Sequence, residues 1–308
     1  MGITKRIDNV TCLDTTKINK RMGPPISAKI ELTSKCNLNC SFCGTSGYLR
    51  TKGYMDFSLF KKISRDLKKS GVKEIGVFYL GESLLYPKLA EAIFFLKKDL
   101  GFKWVFLTTN GVLANPLLLK EIMKSGLDSL KFSFNSYSPE NYKKITGTSG
   151  SNYDTVIKNI KTAYNIREKN GFSCGIYASS IYYSDTFYKK MSKSLEKIKP
   201  YIDEHYWLPL YSHAGYSSDH TEHVGNTGRL SNPQSPIPCW TLFNEAHITY
   251  DGKLSACCFD QEGKFIMGDL KLNSFLECWN SPRFQKLRKD HIDKKIKNTV
   301  CADCLVGK

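Results

Sequence analysis

Between residues 30 and 210 a short apolar run followed by an amphipathic stripe recurs six times, and few folds satisfy that rhythm. Apolar runs at 30–33, 75–80, 104–107, 129–134, 174–180 and 205–210 read as buried strands. Between them, Phe57, Phe60, Ile63 and Leu67 fall on one helical face, as do Leu89, Ile93 and Leu96. Residues 117–123, then Val156, Ile160 and Ala163, then Phe187, Met191, Leu195 and Ile198 give three more helices, the last stopped by Pro200. Parallel neighbours need crossover connections, and those are right-handed, so strand-helix units in series predict an α/β fold: a mainly parallel sheet with helices outside, curled into a partial (β/α)6 barrel. Ligands of such sheets bind beyond the carboxyl ends of the strands.

The first strand leads at that end into a loop carrying Cys36, Cys40 and Cys43, spaced Cys-x3-Cys-x2-Cys, with Phe42 just before the last cysteine. A four-iron cluster normally takes four thiolates. Three leave one iron open to a reactant. The alternatives left by spacing alone are a zinc knuckle or unrelated buried thiols. The loop resembles the signature of the radical S-adenosylmethionine (radical SAM) family, which implies a 4Fe-4S cluster whose free iron chelates the amino and carboxylate groups of SAM, and reductive cleavage to a 5'-deoxyadenosyl radical.

That resemblance implies SAM contacts at the other strand ends. Gly81 and Glu82 follow the second strand and are similar to the family's Gly-Gly-Glu turn, with Leu80 in place of the first glycine; Glu82 is implied to bond the SAM ammonium. Thr109 and Asn110 after strand three, and Ser133 and Asn135 at strand four, match positions that meet the SAM carboxylate and ribose. Phe42 matches an aromatic beside the adenine. Read by themselves, the glycine turn and the short polar side chains are equally ordinary turn formers.

Residues 211–238 are rich in Ser, Gly, Asn, His and Pro and read as a long loop or linker. His213, His220 and His223 within it are expected to be solvated, without chemistry. Beyond it, Cys239 is followed by twelve residues, Gly252, four residues and Cys257, and the Asp251-Gly252 pair between alternating residues predicts a hairpin. A helical segment whose second part starts at Ser281 and Pro282 follows, then Cys301 and Cys304. Structural zinc on four cysteines is one reading. The stretch resembles the SPASM/twitch extension of radical SAM enzymes, closer to the twitch form, which implies one auxiliary 4Fe-4S cluster with Cys239, Cys257, Cys301 and Cys304 as its full ligand set. Cys258 and Cys278 are expected to be packed thiols. The expected organisation is an N-terminal extension at 1–27, a barrel at 28–210, a linker at 211–238 and a small hairpin-plus-helix Fe-S domain at 239–308.

The chain of 308 residues carries 45 basic and 29 acidic residues, a net charge of +16. Much of that charge lies on helix faces, where a solvated surface explains it; the remainder leaves an acidic partner open. Without an apolar signal stretch at its start or an apolar run long enough to span a bilayer, the chain is expected in a reducing cytoplasm, with no membrane contact. A reducing flavodoxin- or ferredoxin-type electron donor is implied by the family. A fully ligated second cluster suits electron transfer, so two enzymatic expectations stand. The first is dehydrogenation or epimerisation of a small polar metabolite, of amino sugar or aminocyclitol type. The second is maturation of a ribosomally made precursor peptide; only about 27 residues before strand one favours the former. A noncatalytic Fe-S or zinc protein binding RNA ranks last, because no aromatic-basic RNA motif is present. Cys174 on the fifth strand is given a conditional role as hydrogen-atom donor, if its thiol faces the lumen. Tyr177, Ser179, His205 and Trp207 are candidate lumen residues by position.

Overall fold

The computed structural model describes residues 2–44, 50–215, 224–297, 299 and 301–305. Six parallel strands form one side of a nine-stranded sheet: β1 (Ser27–Ile30), β2 (Glu74–Gly76), β3 (Trp104–Thr109), β4 (Ser129–Ser133), β5 (Gly175–Tyr182) and β6 (Glu204–Pro209). Each pairs with its sequence neighbour in parallel register, such as Thr108 with Lys131 and Lys131 with Tyr177. The strands start or stop a few residues from where the apolar runs placed them. β2 is the shortest, because the chain after Gly76 turns into the loop that carries Gly81 and Glu82.

The helices form where local chemistry allows them to start and stop. Helix α1 (Ile3–Thr11) precedes the sheet; α2 (Phe57–Ser70) is capped by Asp56, which accepts from Leu59 N, and ends at Gly71 in a left-handed conformation. Helix α3 (Leu89–Phe94) runs on into a π-helical turn, and α4 (Pro116–Lys124) starts on an Asn115 cap with proline in its first turn. Then come α5 (Pro139–Thr146), which the apolar stripes did not reveal, α6 (Asn152–Asn170) and α7 (Asp185–Leu195). Ile30, Leu67, Ile93, Leu130, Phe132 and Ile160 are completely buried between sheet and helices. Burial of such side chains contributes about 1.5–3 kcal/mol each.

The expected hairpin is present as β7 (Glu245–Ile248) and β8 (Lys253–Ser255), joined by a third strand, β9 (Ile266–Asp269). It does not stand apart. β7 lies parallel to β1, Lys29 opposite His247, so the sheet runs unbroken in the order β6-β5-β4-β3-β2-β1-β7-β8-β9. The short α8 (Thr241–Asn244) leads into β7, and α9 (Phe275–Trp279), α10 (Pro282–Ile292) and α11 (Ala302–Leu305) complete the chain. Arg288 of α10 is fully buried; it donates to the Leu242 and Trp279 carbonyls and stacks 3.9 Å from the Phe284 ring centre.

Two segments expected to be peripheral are part of the barrel. Helix α1 closes the amino-terminal end of the strands: Arg6 pairs with Glu74 at 2.5 Å and lies 3.8 Å over Trp104, while Asp8 holds Arg229 at 2.7 Å. The described part of the 211–238 stretch packs on the strands, with Val224 bridged to Tyr211 and Leu230 N bonded to the Trp207 carbonyl. Among the described residues no helix is long and apolar enough to cross a membrane.

Candidate active site

The concave face of the sheet encloses a cavity of about 340 Å³, walled by residues from β1 to β7 and floored by Ile3, Arg6 and Ile7 of α1. At its upper rim lies Phe42 of the cysteine loop. That loop is held from three directions. Glu82 N donates to the Lys35 carbonyl at 2.8 Å; Asn110 Nδ2 donates to Asn37 Oδ1 at 2.8 Å; and Asn39 and Ser41 N–H groups donate to Thr146 and Ile145 at the end of α5. Its own turn is closed by Cys43 N on the Cys40 carbonyl at 3.0 Å.

Gly81 explains why this turn tolerates no side chain. A Cβ there would stand 2.1 Å from the Thr33 carbonyl oxygen and 2.7 Å from that of Lys35. The Gly81-Glu82 turn is therefore seated directly on the base of the cysteine loop. Glu82 is 3% exposed, and its carboxylate accepts from Thr109 Oγ1 at 2.8 Å, Leu84 N at 3.0 Å and Asn110 N at 2.8 Å. A carboxylate offers about four acceptor positions, so about one is left for an added cation. Burial pushes its pKa up against those hydrogen bonds. The residue thus ties β2, β3 and the cysteine loop together as well as offering charge.

Ser133 and Asn135 line the cavity with Phe42, whereas Thr109 and Asn110 are engaged with Glu82 and Asn37 behind its wall. Asn135 Oδ1 accepts from Ile181 N at 3.1 Å, which fixes β4 to β5 above the lumen.

The cysteines are all free. Burial raises the Cys36 thiol to about 11 and raises Cys40 further, and Cys36, Cys40 and Cys43 are electrostatically coupled to one another. Burial likewise raises Cys239, Cys301 and Cys304; Cys239 is coupled to Cys301 and Cys304, and each of those to Cys257, so the four share one region. Cys239 Sγ lies 3.2 Å from Thr241 Oγ1, Phe259 N donates to Cys257 Sγ at 3.3 Å, and Ser212 Oγ contacts Cys304. Among the described residues no three His, Cys, Asp or Glu side chains converge on one point tightly enough for a single ion. Two thiol groups of three and four members, each drawn together, with hydroxyl or N–H groups beside Cys239, Cys257 and Cys304, fit iron-sulfur ligation. Loading them would release protons.

Several expectations are corrected. Cys174 is 1% exposed at the amino-terminal end of β5, packed in the core with Sγ toward the Gly175 carbonyl; it lies outside the lumen lining, so the condition for a donor role is not met. On β6 the alternation puts Tyr206 and Leu208 inside, so His205 and Trp207 face outward, His205 against Ser180 at 3.0 Å. Ser179 lines the lumen, and Tyr177 packs with Ile3 and Tyr206 near its floor. Cys278 is packed as expected, but Cys258 lines the cavity and accepts from Asn226 at 3.2 Å. His213 also lines it, against the Phe259 ring, rather than standing in solvent. His220 and His223 lie outside the described residues.

Sequence reasoning missed the lumen's charged groups. Lys29 Nζ pairs with Glu245 at 2.7 Å, and the same carboxylate accepts from Ser27 Oγ at 2.9 Å and faces His247 Nε2 at 3.0 Å. Burial opposes it, yet Lys29 and His247 hold the Glu245 pKa down at about 2. Lys131 on β4 also faces in. Period-two counting on β1 and β4 would have paired these lysines with lumen neighbours such as Ser27, Ser129 and Ser133.

Comparison with known proteins agrees with this geometry. Residues 30–177 match the model of the radical SAM superfamily, and residues 239–305 that of the SPASM iron-sulfur cluster-binding domain. A probable GTP 3',8-cyclase of Saccharolobus islandicus is 36% identical over 152 residues, covering 47% of this chain and 46% of the relative. An uncharacterised protein of Methanocaldococcus jannaschii is 35% identical over 153 residues, 49% of each. The chain thus spans about half the length of the curated relatives it matches. Among solved structures, BtrN in complex with AdoMet and 2-DOIA superposes with a TM-score of 0.60 at 16% identity over 93% of both chains. SuiB of Streptococcus suis bound to precursor peptide SuiA gives 0.69 at 16% identity, over 86% of this chain and 67% of that one. With both family models matched and the thiols in two groups, the chain belongs to the radical SAM superfamily, with a C-terminal SPASM-type domain, and its cofactors are SAM and 4Fe-4S clusters.

Proposed function

We propose that this chain removes a hydrogen atom from a C–H bond of a small polar metabolite, as a dehydrogenase or epimerase. Cys36, Cys40 and Cys43 would hold the SAM cluster, and Cys239, Cys257, Cys301 and Cys304 the auxiliary one. When bound, these groups supply a hydrogen-abstracting radical at the loop and an electron acceptor on the far side of the lumen. Phe42, Gly81, Glu82, Thr109, Asn110, Ser133 and Asn135 are proposed to build the SAM seat. Of these, Phe42, Ser133 and Asn135 face the cavity directly; the rest fix the loop they stand on.

The observation that carries this reading is the shape of the lumen. It is about 340 Å³, at the low end of small-molecule sites, and α1 plugs its floor. Its wall includes Phe42 from the SAM side and Cys258 and Phe259 from the auxiliary side, so the two sides open onto one space. The proposed division at 28–210 and 239–308 makes the second unit an extension of the first unit's sheet through β7. A reading as precursor-peptide maturase is favoured by the likeness to SuiB bound to SuiA. In either case a flavodoxin- or ferredoxin-type donor is proposed to deliver the first electron.

The test is anaerobic reconstitution with iron and sulfide, then SAM and dithionite, with chromatography for 5'-deoxyadenosine. Release of that product is expected. A fully loaded protein that never forms it refutes the reading. Cys257→Ala and Cys304→Ala are expected to retain about half the iron and still cleave SAM, whereas Cys40→Ala abolishes cleavage.

A further inference from the structure

Among the described residues the lumen holds more positive than negative charge, and one cation in it pairs with no carboxylate. Arg6 is matched by Glu74 at 2.5 Å, and Lys29 by Glu245 at 2.7 Å. Glu245 is committed, because Ser27 and His247 occupy its remaining faces. Lys131 stands apart. Its side chain lines the cavity, Lys29 is the charged group that acts on it, and among the described residues no acidic group pairs with it. The aromatic nearest to it is Tyr206, 5.6 Å from Nζ to the ring centre. A half-buried amine with no counter-charge beside it is costly to keep charged, and an anion bound next to it would offset that cost.

The strand geometry says where that ligand group would sit. Ser129, Lys131 and Ser133 alternate onto the lumen face of β4, and Ser179 stands opposite Ser133 on β5. Residues two apart on a strand are separated by about 7 Å. Lys131 is therefore one step deeper than Ser133, flanked by hydroxyls that can donate to an anion. We propose that the substrate carries an anionic group, carboxylate or phosphate, which binds Lys131 on the lower wall of the lumen and so presents a carbon of the same molecule to the SAM side above it. The inference rests on the reading of the lumen as the substrate site. It narrows the class from any small polar molecule to an acidic one.

Burial, reinforced by Lys29, brings the Lys131 ammonium down to about 7, so near pH 8 most of the side chain is free amine and open to acylation. Tyr206, the Lys29–Glu245 pair, and below them the Arg6–Glu74 pair are the ionisable groups that face it. An anion at Lys131 would restore the ammonium, and at pH 8 a rise of about two pKa units from about 7 cuts the free amine from about nine-tenths to about one-tenth.

The experiment treats the cluster- and SAM-loaded enzyme with acetic anhydride at pH 8 and follows acetylation of the Lys131 peptide by mass spectrometry. Inorganic phosphate and acetate are the probes, with ionic strength held by chloride and Lys131→Met marking the peptide. About tenfold slower labelling with one of the anions is expected. Phosphate alone points to a phosphorylated substrate, and acetate to a carboxylic acid. Labelling that ignores both anions overturns the proposal. So does a Lys131 that resists the reagent without any anion, because an amine open to a substrate is open to a smaller electrophile. The readout is on the lysine itself, so failure to cleave SAM would sink the proposed function and leave this result intact.

Discussion

Glu82 offers the sharpest test of how the loop is built. Its carboxylate accepts three hydrogen bonds, two on Oε1 from Thr109 and Leu84 and one on Oε2 from Asn110 N. Glu82→Gln keeps one carbonyl oxygen for the first pair but turns the other oxygen into an amide donor facing the Asn110 N–H. The Asn110 N–H and the new amide N–H then face each other without acceptors, a cost of about 1–3 kcal/mol for each donor left unmet. Glu82→Ala strands all three donors and is expected to cost about 3–9 kcal/mol on the same scale. The assay is equilibrium denaturation of the reduced, metal-free protein, with iron content after reconstitution as a second reading. Burial raises the Glu82 pKa, so the folded state holds its proton to higher pH than the unfolded one. Wild-type stability should therefore fall as pH rises from the ordinary glutamate range toward that raised value, and Glu82→Gln should lose this slope. If Glu82→Gln matches the wild type in denaturation midpoint while SAM affinity alone drops, Glu82 is a ligand residue only, and the network argument is wrong.

Gly81→Ala places a methyl 2.1 Å from the Thr33 carbonyl, so it should displace the cysteine loop and abolish loading of the first cluster; normal iron content and SAM cleavage would contradict the packing. Glu245→Gln leaves Lys29 buried without a counter-charge and is expected to cost about 3–5 kcal/mol, measured by denaturant midpoint. Because the Glu245 pKa is held down at about 2, its stabilisation is present above the ordinary glutamate value and is lost as pH falls from about 4.5 toward 2; an unchanged acid limb in Glu245→Gln would refute this. Cys174→Ala should leave any stereochemical outcome and solvent-deuterium incorporation unchanged, checked by product NMR in deuterated water, since the thiol lies outside the lumen.

What could be read from the chain was whatever depends on local order. Alternation and helical stripes gave the strand-helix series, the Asp251-Gly252 pair gave the hairpin, and cysteine spacing separated the thiols into a three and a four. Gly81 was found by motif, although the carbonyls that forbid a side chain there come from residues nearly fifty positions earlier. Helix α1 and the 211–238 stretch escaped for a related reason: polar sequence looks like a tail or linker until Arg6, Asp8 and Arg229 meet partners across the fold. Phase was the harder problem. A strand's side chains alternate faces, so an offset of one residue exchanges inside for outside, and this is how His205 and Trp207 were placed in the lumen while Tyr206 and Leu208 occupy it.

By itself, then, the amino-acid order determined which chemistry the chain carries: three thiols at one strand end, four more at the other end of the chain, and a parallel sheet to hold them. Only the tertiary structure decided that the cysteine-bearing hairpin joins the barrel sheet through β7 beside β1, that Glu82 braces three segments at once, and that Lys131 lines the lumen with no acidic partner among the described residues. Residue type and spacing are local and leave their trace in one dimension. Register, burial and charge pairing are set by which distant strands become neighbours, and that choice is made only when the core closes.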